Sequence, residues 1–491
     1  MVAKQVFGTI GNPFSEATTS KQIIDLIQKH EIEFVDIRFC DLIGHMQHFS
    51  ITSRYLDQDA FDLGLPFDGS SVRGFQSINE SDLALLPDPT SVTIDPFRKR
   101  PTIIINATVH QPITLETYTR DPRTIARKAE QFILDSGIAD TAYIGPEAEF
   151  FIFDSARFGQ GPSGAFYEVD SIAGSWNADR EMEADGGPNL AHKPKLQGGY
   201  FVLPPADKFQ DLRSDMTAQL EEVGVHVEVQ HHEVGGAGQG EIDMKYDTIM
   251  NIADKMQMYK YVVKNVAAEA GYTVTFMPKP LFQVNGSGMH VHQSLWKEGV
   301  NLFYEEGAYA NLSQLAMHYI AGIIEHGPAL CALTNPTTNS YRRLTPGYEA
   351  PINLVYSQRN RSACLRIPLV RNTATATRVE YRTPDPTANP YLAYSALVMA
   401  GMDGIKRGLL PGDPSDFDLF EASPEVLSTI KTVPSSLEGA LDALEADHDF
   451  LLEGDVFTKD VIDTWIAEKR SDADEVRLRP HPWEFELYYN Y

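Results

Sequence analysis

Residues 285–294 read NGSGMHVHQS. A Gly-Ser-Gly turn runs into an extended stretch whose side chains alternate in direction. His290, His292 and Ser294 therefore share one face, while Met289 and Val291 share the other. The same division recurs along the chain. In GPEAEFFIFD (145–154), Glu147 and Glu149 share a face, and Ala148, Phe150 and Ile152 share the opposite one. In TRVEYRTPD (377–385), Arg378, Glu380 and Arg382 lie together. A fourth segment, VHVEVQHHEVGGAGQGEI (225–242), holds Glu228, His231, His232, Glu233 and Glu241 around a glycine-rich bend. Glu228 and Glu233 fall on opposite faces there unless a bulge intervenes. The pattern predicts an antiparallel sheet with one apolar and one polar face. A merely solvated face is rich in lysine and threonine. These segments carry Glu, His and Arg beside Gly-rich bends, and no lysine.

The rest of the 491-residue chain places that sheet in context. The length exceeds one core and predicts two domains. Acids outnumber bases 68 to 41, for a net charge of −27, which excludes a general binder of nucleic acid or anionic membrane. Cys40, Cys331 and Cys364 lie far apart, so neither a disulfide framework nor a zinc site is expected. The opening MVAKQVFGTI has no apolar signal core, and no 18-residue apolar run occurs, so a cytoplasmic protein is expected.

Helices are predicted over 20–30, 119–137, 247–270, 311–326, 390–406 and 455–470. The second is opened by Asp121-Pro122, with proline tolerated in the first turn. Residues 33–51 read as a hairpin around Gly44, residues 63–82 as a long loop, and FRKRPTIIINATVH as a strand. A domain boundary is placed near residue 119, dividing 1–118 from 119–491. Beyond it strands and helices mix without βαβ alternation, and no P-loop or dinucleotide glycine motif is present.

The polar faces imply chemistry. Carboxylates with an occasional imidazole suit hard cations such as Mg²⁺ and Mn²⁺. Two such ions clamp a transferring phosphoryl group. YSQRNRSACLRIP adds Arg359, Arg361 and Arg366, and SYRRLTPGYEAP adds Arg342 and Arg343. Guanidinium forks grip phosphate and carboxylate bidentately. The residues alone point to metal-dependent phosphoryl transfer to an anionic small molecule. The plainer alternative is a set of surface ion pairs in an acidic protein.

The order of EFVDIRF, FDGSS, INESD, GPEAEF, HHEVGGAGQGE, FMPKP, NGSGMHVHQS, TNPTTNSYRRLTPGYEAP, RNRS, RTPDP and RPHPWEFELYY resembles the bacterial type I glutamine synthetases, over nearly the whole chain. That resemblance implies an α+β protein: an N-terminal β-grasp domain and a larger catalytic domain with a curved antiparallel sheet flanked by helices. It implies ATP-dependent condensation of glutamate and ammonium through a γ-glutamyl phosphate, two to three divalent ions (Mg²⁺ or Mn²⁺), and a homo-dodecamer of two hexameric rings with active sites between subunits.

Carried over by residue, Glu149, Glu233 and Glu241 are expected at one ion, and Glu147, His290 and Glu380 at the second. Glu228, Tyr246, His292, Ser294 and Arg378 are expected at ATP. Asn285, Gly286, Arg343 and Arg382 are expected at glutamate, with Arg361 and Arg366 at the transferring phosphate. Glu349 would be the flap acid that closes over the intermediate. Asp68, with Asp82 near it, would come from the adjacent subunit to deprotonate ammonium.

Two positions depart from the pattern. In DFDLFEASPEV, Phe420 occupies the place of a tyrosine that many bacterial members adenylylate. In VRNTATATR, Thr375 stands where a lysine is common, with Arg371 nearby as a possible substitute. Two other readings are set against synthesis of glutamine. One is a γ-glutamyl ligase acting on amines or polyamines, against which the intact FDGSS speaks. The other is a silent sensor, against which the complete ligand set speaks.

Overall fold

The protein is described from a computed structural model covering residues 12–183, 186–346, 350–369, 373–417, 423–428 and 430–491. Glu349, Arg371 and Phe420 lie outside the described residues.

The N-terminal sheet has six strands: β1 (Phe34–Cys40), β2 (Met46–Thr52), β3 (Leu65–Asp68), β4 (Asp82–Pro87), β5 (Thr93–Ile94) and β6 (Thr102–His110). Their order is β2-β1-β6-β4-β3, with β5 beside β6 and β1 parallel to β6. The predicted hairpin at Gly44 forms, and φ there is +103°, a conformation open to glycine. The expected loop over 63–82 is corrected. Leu65–Asp68 pairs with Asp82–Pro87 as an edge strand, since Leu65 and Phe67 pack against the core while Pro66 and Asp68 face outward.

The second sheet carries the site. Its strands are β7 (Thr141–Phe153), β10 (Val227–His232), β11 (Gln239–Met244), β12 (Asp247–Thr248), β13 (Thr273–Thr275), β14 (Met289–Lys297), β15 (Val300–Asn301), β16 (Asn353–Gln358), β17 (Ala363–Ile367) and β18 (Val379–Tyr381). Between β7 and β10, β8 (Ser155–Gly161) and β9 (Gly164–Asp170) form a separate hairpin. The order β10-β11-β7-β14-β18-β17-β16 is antiparallel except that β16 and β17 run parallel.

One face of this sheet is apolar because alternate positions are. Ala148, Phe150, Ile152, Met289 and Val291 are fully buried. The helix Ile249–Glu269 lies against that face, and its Tyr259 hydroxyl donates to the Ala148 carbonyl at 3.0 Å. The helix Pro122–Asp135 starts as predicted, with Asp121 capping the Arg123 and Thr124 amides.

The helix expected over 311–326 runs instead over Gln314–Thr334 and continues through Pro328. It crosses the helix Pro390–Arg407 at bare backbone. A Cβ on Gly322 would lie 2.0 Å from the Ala400 carbonyl oxygen, and one on Gly404 would lie 2.2 Å from that of His318. Helices Gln210–Glu222 and Leu437–Ala446 were not expected from sequence.

The domains are tied by buried polar groups. Arg123 donates to Asp88, just past β4 of the N-terminal sheet, and to Asp254 of the helix beneath the second sheet, each at 2.8 Å. Elsewhere, His326 bridges two helices, with Nε2 2.8 Å from Asp403 and Nδ1 2.8 Å from Asp447, and its ring stacks on Phe450.

Two stability predictions follow from these contacts. Gly322→Ala forces the crossing helices apart and should cost at least about 1–3 kcal/mol, read from denaturant midpoints. For His326, burial alone would push the pKa down, but the Asp447 and Asp403 carboxylates outweigh it and hold it above the ordinary value. That contribution is present below about pH 6.5 and lost as pH rises through the raised value. Arg407 also binds Asp403, at 2.8 Å, and does not titrate in this range. His326→Gln should therefore lower the melting temperature more at pH 6 than at pH 9. Equal losses at both would show that the imidazole acts by packing alone.

Candidate active site

The strand register assembles the polar residues. Across β7, Glu147 stands opposite His290 of β14 on one side and Asp243 of β11 on the other. Glu149 stands opposite Glu241, which stands opposite His231 of β10. His292 stands opposite Gly145 and Glu380, and Glu380 opposite Arg366 of β17. The parity problem of the fourth segment resolves at a register shift between Val227 and Val229, which isolates Glu228. Glu233 lies just past the end of β10 and reaches the same face.

Two chambers open onto this face. The first, of about 340 Å³, is lined by Glu147, Glu149, Glu233, Glu241, Asp243 and Glu380. Asn285, Gly286, His290, Arg343, Arg361, Arg366 and Arg382 also line it. The second, of about 680 Å³, is lined by Glu228, Tyr246, His292, Ser294, Thr375 and Arg378, with aromatic walls from Tyr143 and Trp296. Glu147, Val229 and Asp243 belong to both, so the chambers share a wall.

On this face donor atoms converge twice, once in the first chamber and once at the wall it shares with the second. Glu147, His292 and Glu380 each offer an atom within 4.8 Å of the others, as do His231, Glu233 and Glu241. Carboxylate oxygen with one imidazole fits Mg²⁺ or Mn²⁺. His290 sits between the groups, with Nδ1 3.4 Å from Glu147 and 3.7 Å from Glu380, and Nε2 4.0 Å from Glu149.

Surrounding bonds fix these groups. Gln239 Nε2 and the Gly288 amide donate to Glu149 Oε2 at 2.8 and 3.0 Å. Arg378 Nε donates to His292 Nδ1 at 3.0 Å, so Nδ1 is an acceptor and Nε2–H donates to Glu147 Oε1 at 2.7 Å. Arg366 donates to Glu380 Oε2 at 2.6 Å. The Nε–H groups of Arg366 and Arg382 are buried and have no hydrogen-bond partner among the described residues. Both guanidinium groups line the first chamber, and guanidinium favours an anionic ligand.

The electrostatics divide the carboxylates. Burial, and then Glu233, push Glu149 up to about 8. Burial, and then Glu147, push Asp243 up to about 7. Burial, and then Asp243, raise Glu241 well above the carboxylate range. Burial would also raise Glu147, but the imidazoles of His292 and His290 hold it well below that range. A protonated cluster beside an ionised one is what crowded carboxylates produce without cations.

Several expected residues stand differently. Arg343 is committed to backbone, donating to the carbonyls of Thr383, Pro384 and Arg382 at 2.7, 3.2 and 3.0 Å. Gly286 is required by closeness, since a Cβ there would lie 2.5 Å from the Pro278 carbonyl oxygen. Asp68 and Asp82 face one another across β3 and β4, both exposed, and line neither chamber of their own chain. Asp68 accepts from the Ser70 amide and hydroxyl and from the Ser71 hydroxyl, and these bonds lower its pKa.

The sequence reading missed Asp243, Gln239, Tyr143 and Trp296. Strand parity would have found three of them. Asp243 lies two residues after Glu241, Trp296 two after Ser294, and Tyr143 two before Gly145.

The comparisons agree with this architecture. The family profile described as glutamine synthetase, catalytic domain, matches residues 119–488, and that for the glutamine synthetase β-grasp domain matches residues 31–112. The chain is 56% identical to a glutamine synthetase of Frankia alni over 474 residues, covering 96% of this chain and 99% of that one. It is 55% identical to that of Mycobacterium tuberculosis over 473 residues, with the same coverage. Among solved structures, the Plasmodium falciparum glutamine synthetase aligns with a TM-score of 0.87 at 28% identity, over 96% of this chain and 98% of that one. A GmaS–ADP complex aligns at 0.78 and 26% identity, over 95% of this chain and 99% of that one. No described helix is long and apolar enough to cross a membrane. With both domains matched and both chambers built, the chain belongs to the glutamine synthetase family of ATP-dependent ligases.

Proposed function

We propose that this chain makes glutamine in the cytoplasm, phosphorylating the side-chain carboxylate of glutamate with ATP and letting ammonia displace the phosphate. The observation that carries this reading is the shared wall. A carboxylate- and arginine-lined chamber meets an aromatic one at Glu147 and Asp243. A carboxylate oxygen is a poor leaving group and phosphate a good one, so the two substrates must meet where phosphoryl charge can be held.

In this reading Glu149, Glu233 and Glu241 hold one divalent ion, and Glu147, His290 and Glu380 hold another. When bound, the ions supply positive charge against the phosphate oxygens. Glu228, Tyr246, His292, Ser294 and Arg378 position the nucleotide, with Tyr143 and Trp296 offering ring faces. Asn285, Gly286 and Arg382 shape the glutamate site, and Arg343 stiffens it through the carbonyls it binds. Arg361 and Arg366 oppose charge on the transferring group. Glu349 would exclude water and take a proton from ammonium.

Asp68, on the exposed edge of the N-terminal sheet with Asp82 beside it, serves the chamber of an adjacent copy and deprotonates ammonium there. The homo-dodecamer of two hexameric rings supplies that copy, and the division near residue 119 separates the two contributions. Phe420 has no hydroxyl to take a nucleotide, so adenylylation does not act at that position. With Thr375 in place of a lysine, Arg378 is the cation of the second chamber among the described residues.

Two experiments test this. The raised carboxyl groups of Glu149, Asp243 and Glu241 stabilise the metal-free fold only while they keep their protons. That contribution fades as pH rises from about 5 through 8. Mg²⁺ displaces those protons, so the rise in melting temperature it produces should grow with pH and shrink in Glu241→Gln. A rise independent of both pH and Glu241 would place the ions elsewhere.

Phosphate release from ATP should require glutamate and ammonium together and fall roughly 10²-fold or more in Asp68→Asn. Release driven by methylamine or a polyamine in place of ammonium would make the chain an amine ligase. Nucleotide binding without release would make it a sensor.

A further inference from the structure

Away from the two chambers, a cavity of about 1020 Å³ opens along the seam between the N-terminal sheet and the helix Ile249–Glu269. Its walls combine β1 and β2, the segment 95–102 and the helix face carrying Lys260, Tyr261 and Lys264. The acids in the wall are already matched. Arg38 donates to Asp36 at 2.8 Å and to Asp95 at 3.1 Å, and its guanidinium lies 3.9 Å from the centre of the Tyr261 ring. The Tyr261 hydroxyl donates to Asp95 at 2.8 Å, and Arg98 lies 3.5 Å from the same carboxylate.

The two lysines are not matched. Lys260 and Lys264 make no hydrogen bond and no carboxylate ion pair among the described residues. They are four residues apart on one helix, so they share a face. Burial first, and Lys264 next, push the half-buried Lys260 ammonium down to about 8. Lys264 is exposed at the cavity rim, 5.7 Å from the centre of the Phe276 ring. A desolvated ammonium without a counter-ion is costly, and an anion placed between two of them recovers that cost. In a chain of net charge −27, a cavity whose uncompensated charge among the described residues is positive runs against the general field.

We propose that this interdomain cavity is a second ligand site, which takes a small metabolite bearing at least two negative charges, as phosphate or as paired carboxylates, between Lys260 and Lys264. The site bears on how the domains sit together. One turn before Lys260 on the same helix, Gln257 Nε2 donates to the Gly44 carbonyl at 3.0 Å and holds the β1–β2 turn against the catalytic domain. An occupant touches both sides of that contact and stabilises it.

The full-length, assembled protein, stripped of divalent ions, is titrated by calorimetry with inorganic phosphate and separately with succinate at constant ionic strength. At least one anion should show a saturable site on each chain. Its affinity should fall at least tenfold in Lys260→Met and in Lys264→Met and persist in Arg366→Met, which removes a phosphate contact of the catalytic chamber. Both lysine variants should still make glutamine without added anion. Binding of phosphate alone identifies a phosphate-bearing ligand, and binding of succinate alone a dicarboxylate; either supports the site. Absence of saturable binding for both anions, or binding lost in Arg366→Met but kept in the lysine variants, overturns it. Because Lys264 is exposed, its variant still decides the question if Lys260→Met does not fold.

Discussion

Six carboxylates on one face of a single sheet repel one another, and the rest of the molecule is arranged to hold them there. The strand β7 makes this possible through its period of two. Every second residue from Ala142 to Ile152 is apolar and buried, while Glu147 and Glu149 project the other way. The helix beneath supplies the burial that anchors the strand, and the cost of crowding charge is met on the opposite side of the same backbone. Any shift of register by one residue would exchange the two faces and lose both.

Order within the site comes from groups that hold rather than react. Gln239 and the Gly288 amide fix Glu149, Arg378 fixes the tautomer of His292, and three backbone carbonyls fix Arg343. Donors set in advance need little rearrangement when charge develops on a substrate. Arg366 and Arg382 instead line the first chamber, where guanidinium groups suit an incoming oxyanion. The site thus separates fixed walls from ligand-facing arms.

The N-terminal sheet contributes in two directions. Toward its own catalytic domain it is fastened by Arg123, shared between Asp88 and Asp254, and by Arg73, which binds Glu468 and Asp472 at 2.7 Å each. Away from it, Asp68 and Asp82 stand exposed on an edge, held ready by serine hydroxyls instead of by the chambers.

The alternation in GPEAEFF, MHVHQS and VEYR was enough to assign the two faces of the central strands, because strand parity is a local property of the backbone. The Asp121 cap and the Gly44 turn were legible for the same reason. The order of motifs along the chain was enough to indicate the family. Which strand lies beside which was not in any segment: that Asp243 faces Glu147, or that β16 runs parallel to β17, depends on pairings between distant stretches. The loop expected over 63–82 proved half strand because its partner lies in the next segment, and the helix ending expected near residue 326 failed because tertiary packing carried it through Pro328. The shared wall between chambers, the commitment of Arg343 to backbone and the unmatched lysines at the domain seam likewise exist only once the chain has closed on itself. Local periodicity determines which way a side chain points, whereas only packing decides what it meets.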